Sequence, residues 1–204
     1  MLRGLWFSPA PESSPKVEAF LVSTGVVALG EIGDKTQLLA MLLAARFRKP
    51  LPILLGILVA TLVNHALAGW LGDATARWLG PVLMRWVIGI GFLAMAAWML
   101  VPDKIDAGDT GAARFGVFGT TVIAFFVAEM GDKTQIATVA LAARYAALAA
   151  VVAGTTLGMM LANLPAVLLG ERIARWSGAR WVHRISALIF VVLGVLTLAG
   201  LHLG

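Results

Sequence analysis

Two heptapeptides carry most of the chemistry open to this chain: Glu31-Ile-Gly-Asp-Lys-Thr-Gln37 and Glu129-Met-Gly-Asp-Lys-Thr-Gln135. Each gathers two carboxylates, an amide, a hydroxyl and an ammonium within seven residues. Each also lies near the centre of a long apolar stretch, where a single charge costs about 3 kcal/mol or more if the stretch crosses a bilayer. Of the eleven acidic residues, Glu31, Asp34, Glu129 and Asp132 sit at that depth. On an unbroken helix, Glu31, Asp34 and Gln37 fall at i, i+3 and i+6 and align their oxygens along one stripe. Lys35 follows Glu31 by four residues, the favourable order for an ion pair on one helix. Gly33 and Gly131 admit close backbone approach and weaken the helix, and a local break there would expose carbonyl oxygens as further ligands. Thr36 and Thr134 can bond back to helix carbonyls or offer hydroxyl oxygens.

Brought together, the two motifs make a cluster of four carboxylates and two ammonium groups, formally −2 when all are ionised. One divalent cation neutralises it, and so do two protons. Carboxylate and amide oxygens are hard ligands that suit Ca²⁺, Mn²⁺ or Mg²⁺. Metal and protons then compete for one set of oxygens, which is what an exchanger requires. The expected ligands are Glu31, Asp34, Glu129 and Asp132, with Gln37 and Gln135 completing or orienting the shell.

The surrounding elements read as membrane helices. Hydrophobic residues make up 60% of the 204, the mean hydropathy is +0.90, and 13% are charged; a soluble domain has about a quarter charged. The net charge of +5 sits as single basic residues in short loops, a pattern that orients membrane proteins and does not suit nucleic-acid binding. There are no cysteines, which excludes disulfides and thiolate chemistry. Apolar runs predict six spans at approximately 18–45, 51–71, 81–101, 116–143, 147–170 and 182–203. Before them lies an irregular arm, 1–17, with Pro9, Pro11 and Pro15. It does not read as a cleavable signal, because the first apolar run contains Glu31 and Asp34.

The chain repeats itself. A shift of 98 residues superposes the heptapeptides and also Leu43-Ala-Ala-Arg46 on Leu141-Ala-Ala-Arg144, Gly56 on Gly154, and Ala76-Arg-Trp78 on Ala174-Arg-Trp176. Between 31 and 78 there are 17 identities in 48 ungapped positions, too many for shared composition alone. The expected organisation is a first three-helix repeat at 18–101, an acidic cytoplasmic linker at 102–115 with Asp103, Asp106 and Asp109, and a second repeat at 116–204. Three spans per repeat is an odd number, so the second copy enters the membrane from the opposite side. The expected fold is therefore all-α and integral to the membrane, six helices in two inverted three-helix repeats. Loops after spans one, three and five hold nine basic residues against five on the other side, which places them in the cytoplasm and both termini outside it. The expected location is the cell inner membrane.

The doubled Glu-x-Gly-Asp-(Lys/Arg)-(Ser/Thr) motif in a six-helix repeat resembles the Gdt-one type Mn²⁺/Ca²⁺:H⁺ exchanger family, over essentially the whole chain from about residue 18. The resemblance implies export of Mn²⁺ or Ca²⁺ from the cytosol in exchange for protons. It places the family's functional acids on Glu31, Asp34, Glu129 and Asp132, with no motif position missing. The compact linker resembles that of bacterial members. No cofactor is implied beyond the transported ion, and the oligomeric state is open.

Plainer readings compete at each position. The motif acids could instead lock two helices in an ion-pair network, but packing alone does not call for two excess negative charges at mid-bilayer. For Lys35 and Lys133, charge balance is preferred over direct participation. Asn64, His65 and Asn163 lie inside spans two and five, where interhelical hydrogen bonds are the usual role of such residues; the alternative is that they line the ion cavity, and a His65 nitrogen ligand would favour Mn²⁺ over Ca²⁺. Ser23 and Thr121, also matched by the repeat, are candidate gate or cavity residues. Trp70, Trp78, Trp86, Trp176 and Trp181 read as interfacial anchors. The rival functions are an amino-acid type small-molecule exporter, which should have fewer acids, a non-transporting membrane scaffold, and a membrane-embedded enzyme, for which no nucleophile–base pairing appears at mid-depth.

Overall fold

A computed structural model describes residues 15–99, 115–169 and 179–200. The expected arm 1–17 lies outside the described residues except for its last three. The linker 102–115 lies outside them except for Phe115. The described residues form seven helices: α1 (Pro15–Glu31), α2 (Lys35–Phe47), α3 (Pro50–Met99), α4 (Gly116–Glu129), α5 (Lys133–Tyr145), α6 (Leu148–Leu169) and α7 (Ala179–Leu198).

Two stretches expected to be single spans, 18–45 and 116–143, are each two helices, broken within the heptapeptide between Glu31 and Lys35 and between Glu129 and Lys133. The glycines explain the place. Gly33 has φ 83° and Gly131 φ 75°, a left-handed backbone that costs other residues about 1–2 kcal/mol. The second halves also stop alike. Arg48 (φ 52°) and Ala146 (φ 47°), 98 residues apart, form left-handed caps whose N–H groups bond Ala44 O and Ala142 O.

The second span, expected to end near 71, runs further. Nothing from 72 to 79 breaks a helix, and Asp73 pairs with Arg77 one turn on. The helix turns only at Gly80 (φ 70°, ψ 164°), just before Pro81, where proline disfavours a helical predecessor. That kink divides α3 into two arms.

Packing follows the repeat. α1 lies on α6 and α4 on α3; α2 touches α6 and α5 touches α3; α2 meets α4 and α1 meets α5. Each of these contacts thus has a counterpart with the repeats exchanged. The second arm of α3 pairs with α7 through Phe92 and Phe190, ring centroids 6.0 Å apart. Arg144 donates to Thr197 Oγ1 at 2.9 Å. Beside it the Tyr145 hydroxyl donates to Glu18 Oε1 at 3.2 Å. These two bonds fasten the end of α5 to α7 and to the start of α1.

The distribution of side chains inverts that of a soluble protein. Leucine, valine and tryptophan dominate the outside, including Leu21, Leu51, Leu62, Leu67, Trp70 and Trp78, while Glu31, Asp34, Glu129, Asp132 and Lys133 are enclosed. The first arm of α3 and α6 are long and apolar enough to cross a bilayer. An apolar coat around a charged interior marks a membrane protein. Trp70, Trp78 and Trp86 are exposed as anchors require; the side chains of Trp176 and Trp181 lie outside the described residues.

Candidate functional site

The breaks assemble the site. Where a helix stops and restarts, its final carboxylate and the first residue of the next segment project into the same gap. Glu31 and Glu129 end α1 and α4, and Asp34 and Asp132 occupy the N-cap positions of α2 and α5. Neither aspartate uses its side chain to cap its helix, so each carboxylate is directed elsewhere. The backbone closes the turns instead, with Asp34 N–H on Glu31 O at 3.0 Å and Asp132 N–H on Glu129 O at 3.1 Å. Gln37 Oε1 accepts from Gly33 N–H at 2.9 Å and Gln135 Oε1 from Gly131 N–H at 2.8 Å. Gln37 also donates through Nε2 to Ala162 O on α6.

The aspartates face lysines of the other repeat. Lys35 Nζ stands 2.8 Å from Asp132 Oδ1, and Lys133 Nζ stands 2.7 Å from Asp34 Oδ1. This corrects the expected pairing of Lys35 with Glu31. With the helix broken between them, i, i+4 geometry no longer holds, and the stripe expected of Glu31, Asp34 and Gln37 is lost with it. The glutamates are held within their own motifs, Thr36 Oγ1 donating to Glu31 Oε2 and Thr134 Oγ1 to Glu129 Oε2.

One carboxylate oxygen from each of Glu31, Glu129 and Asp132 lies within 4.8 Å of the others, and all three residues are buried. Oxygens bound to one Ca²⁺ at about 2.3–2.6 Å lie no more than about 5 Å apart, so the spacing fits a shared cation. Glu31 Oε1, Glu129 Oε1 and Asp132 Oδ2 have no hydrogen-bond partner among the described residues. Buried oxygens left so are costly unless something else, such as a cation or protons, satisfies them. The N-termini of α2 and α5 also point their positive dipole ends into this region, which favours the negative charge.

The remaining candidates are distributed differently. Asn64 Nδ2 donates to Phe126 O at 3.1 Å, an interhelical bond between α3 and α4 one turn before Glu129. Asn163 Nδ2 bonds Met159 O and its sulfur within α6, and its Oδ1 is unpartnered among the described residues. His65 is fully enclosed, with neither ring nitrogen hydrogen-bonded among the described residues, and it stands outside the Glu31–Glu129–Asp132 group. Ser23 and Thr121 sit at helix crossings. Ser23 lies on α1 where Gly154 of α6 approaches, and Thr121 on α4 where Gly56 of α3 approaches. Thr121 Oγ1 bonds Val117 O of its own helix at 2.8 Å. Sequence reasoning missed the buried hydroxyls of Thr61, Thr138 and Thr156; their signal was a hydroxyl in mid-span, which helix back-bonding makes common and weak.

Buried carboxylates gathered at two helix breaks, inside a bundle with an apolar coat, are the arrangement of an ion transporter. A family model described as the divalent cation/proton antiporter GDT1 matches residues 19–107 and 117–202. The chain belongs to that family, which is one of transporters. It is 48% identical over 195 residues to a protein of Vibrio cholerae serotype O1 named "Putative manganese exporter", covering 95% of this chain and 96% of that one. It is 31% identical to a GDT1-like protein of Synechocystis, covering 88% and 96%, and 29% identical to GDT1-like protein 3 of Oryza sativa subsp. indica, covering 85% and 71%. No solved structure matches it.

Proposed function

We propose that this protein exports Mn²⁺ from the cytoplasm across the cell inner membrane in exchange for protons, with Ca²⁺ as the alternative ion. The observation that carries this reading is the triad of enclosed carboxylates, one oxygen each within 4.8 Å, set beside one further carboxylate and two ammonium groups. Glu31, Glu129 and the aspartates bind the ion and take up the returning protons; the excess of two negative charges balances one divalent cation or two protons. Gln37 and Gln135 hold the broken backbone in shape beside them. Six membrane crossings in two inverted repeats supply the machinery, the first and fourth crossings each being a broken helix. The exchange of contacts between repeats supports that architecture, since a pair of inverted copies can rock about a fixed site and open it to either side. The basic loops face the cytoplasm and the termini face away from it.

The test is uptake by proteoliposomes holding an imposed pH gradient, with Mn²⁺, Ca²⁺ and Mg²⁺ run in parallel. Mn²⁺ flux that follows the gradient and vanishes in Glu31→Gln is expected. Ca²⁺ flux alone would keep the mechanism and change the ion, and no flux of any of the three would return the chain to the scaffold reading. A quieter variant probes the threonines. Thr36→Val keeps the shape but removes the donor to Glu31 Oε2. Leaving a buried acceptor unpaired costs about 1–3 kcal/mol, so half-saturating Mn²⁺ is expected to change by about fivefold or more with the protein level in the membrane unchanged.

A further inference from the structure

We propose that Lys35 and Lys133 are exchangeable internal counter-ions, each giving up its aspartate to the transported cation only while its own side of the site is open. This rests on the transport reading above and assigns a positioning role to two residues whose expected part was charge balance.

The two ion pairs are alike in length and unlike in surroundings. Lys35 stands 2.8 Å from Asp132 with its side chain 30% exposed, whereas Lys133 stands 2.7 Å from Asp34 with its side chain 0% exposed. The partners also differ. Asp132 belongs to the close carboxylate group with Glu31 and Glu129, and Asp34 does not. The aspartate that can reach a cation is therefore the one whose lysine has a way out.

Charge decides what happens when a cation arrives. Asp132 holds Lys35 through Oδ1 and has Oδ2 without a hydrogen-bond partner among the described residues. A divalent ion bound at the triad would place two cationic centres on one enclosed carboxylate, and their repulsion is weakly screened there. Lys35 relieves it by withdrawing its ammonium along a flexible stem toward the exposed side. Lys133 is enclosed and stays on Asp34. The ion is thus held by both glutamates and one aspartate, while the other aspartate is neutralised within the protein.

The repeat supplies the second half of the cycle. When the site opens to the opposite side, the roles exchange: Lys133 becomes the displaceable ammonium, Asp34 joins the glutamates, and Lys35 locks Asp132. Each lysine then competes with the cation from one face of the membrane only.

Half-saturating Mn²⁺ measured separately in inside-out and right-side-out membrane vesicles tests this. Lys35→Gln removes one competitor and is expected to lower that value about tenfold at one face, within the range of ordinary coupling between sites. Lys133→Gln is expected to do the same at the other face. Lys35→Arg and Lys133→Arg keep the charge in a forked group that grips a carboxylate more firmly, and are expected to raise the value at those same faces. Opposite signs at one face are not produced by a loss of packing. Shifts at both faces by one variant, shifts by both lysines at the same face, or no shift overturn the proposal. Inactivity of both the Gln and Arg forms of either lysine, with the chain still in the membrane, gives that lysine a fixed structural role and also overturns it. Absence of Mn²⁺ flux by the unaltered protein in both vesicle preparations instead overturns the transport reading, and this proposal with it.

Discussion

Asp132→Asn is expected to abolish Mn²⁺ transport while the protein still inserts and accumulates in the membrane. The substitution keeps the shape of the side chain and removes one charge from the place where two demands meet. Asp132 contributes to the close carboxylate group and also holds Lys35 at 2.8 Å. Losing it leaves the ammonium without its buried partner and the cation without a ligand. Truncating one member of an enclosed charge pair costs about 2–5 kcal/mol, which is at least about thirtyfold in affinity. Reconstituted flux, with the amount of protein in the membrane measured alongside, checks the expectation. Near-normal flux by the variant would remove the acid cluster from the mechanism. Lys35 is partly exposed and can turn away from the site when its partner is lost, which is why insertion should survive. Asp34→Asn lacks that relief, because Lys133 is fully enclosed, and its effect on the amount of folded protein should be the larger of the two.

Much of this candidate site is legible in the sequence. Charged heptapeptides in apolar surroundings are expensive enough to announce themselves, and a 98-residue shift that superposes them implies that they meet. What the linear pattern could not supply was the partner of each charge. Helical spacing offered Lys35 to Glu31, yet Gly33 breaks the helix and the lysine reaches across to the other repeat. The same glycines are weak points by residue type, but a weak point becomes a break only when tertiary contacts stabilise it. Here Gln37 Oε1 on Gly33 N–H and Gln37 Nε2 on Ala162 O do so. The length of α3 departs from its apolar pattern for a similar reason: polar residues such as Asp73 and Arg77 read as loop, whereas as an i, i+4 pair they extend the helix to Gly80. Ser23 and Thr121 stood out because the repeat preserves them, and so did Gly56 and Gly154. That each hydroxyl residue seats against one of those glycines was not visible, since it depends on which helices cross.

That crossing makes the second large effect. Gly154→Ala is expected to lower the stability of the bundle and transport together. A Cβ on Gly154 would lie 2.5 Å from Phe20 O and 3.0 Å from Ser23 Cβ. The first of these is backbone, so no rotamer change relieves it, and α1 must move away from α6. Overpacking of this kind typically costs about 1–3 kcal/mol. The displacement also reaches the site, because α1 ends at Glu31. Gly56→Ala should behave alike, because its Cβ would meet Thr121 Cβ at 2.7 Å and Phe118 O at 3.0 Å on α4, which ends at Glu129. Gly91→Ala is the control, since a Cβ there meets nothing within 4 Å and alanine favours a helix over glycine by about 1 kcal/mol. Thermal unfolding in detergent should therefore rank Gly91→Ala level with or above the unaltered protein and both crossing variants below it. If Gly154→Ala unfolds with the unaltered protein and transports equally well, then α1 and α6 do not approach this closely where the site forms. Loss of transport without loss of stability would show that the crossing acts chiefly by positioning Glu31. The glycines, the hydroxyl residues and the acids thus belong to one repeated device, in which a close helix crossing carries each broken helix to the point where its carboxylate meets the other repeat.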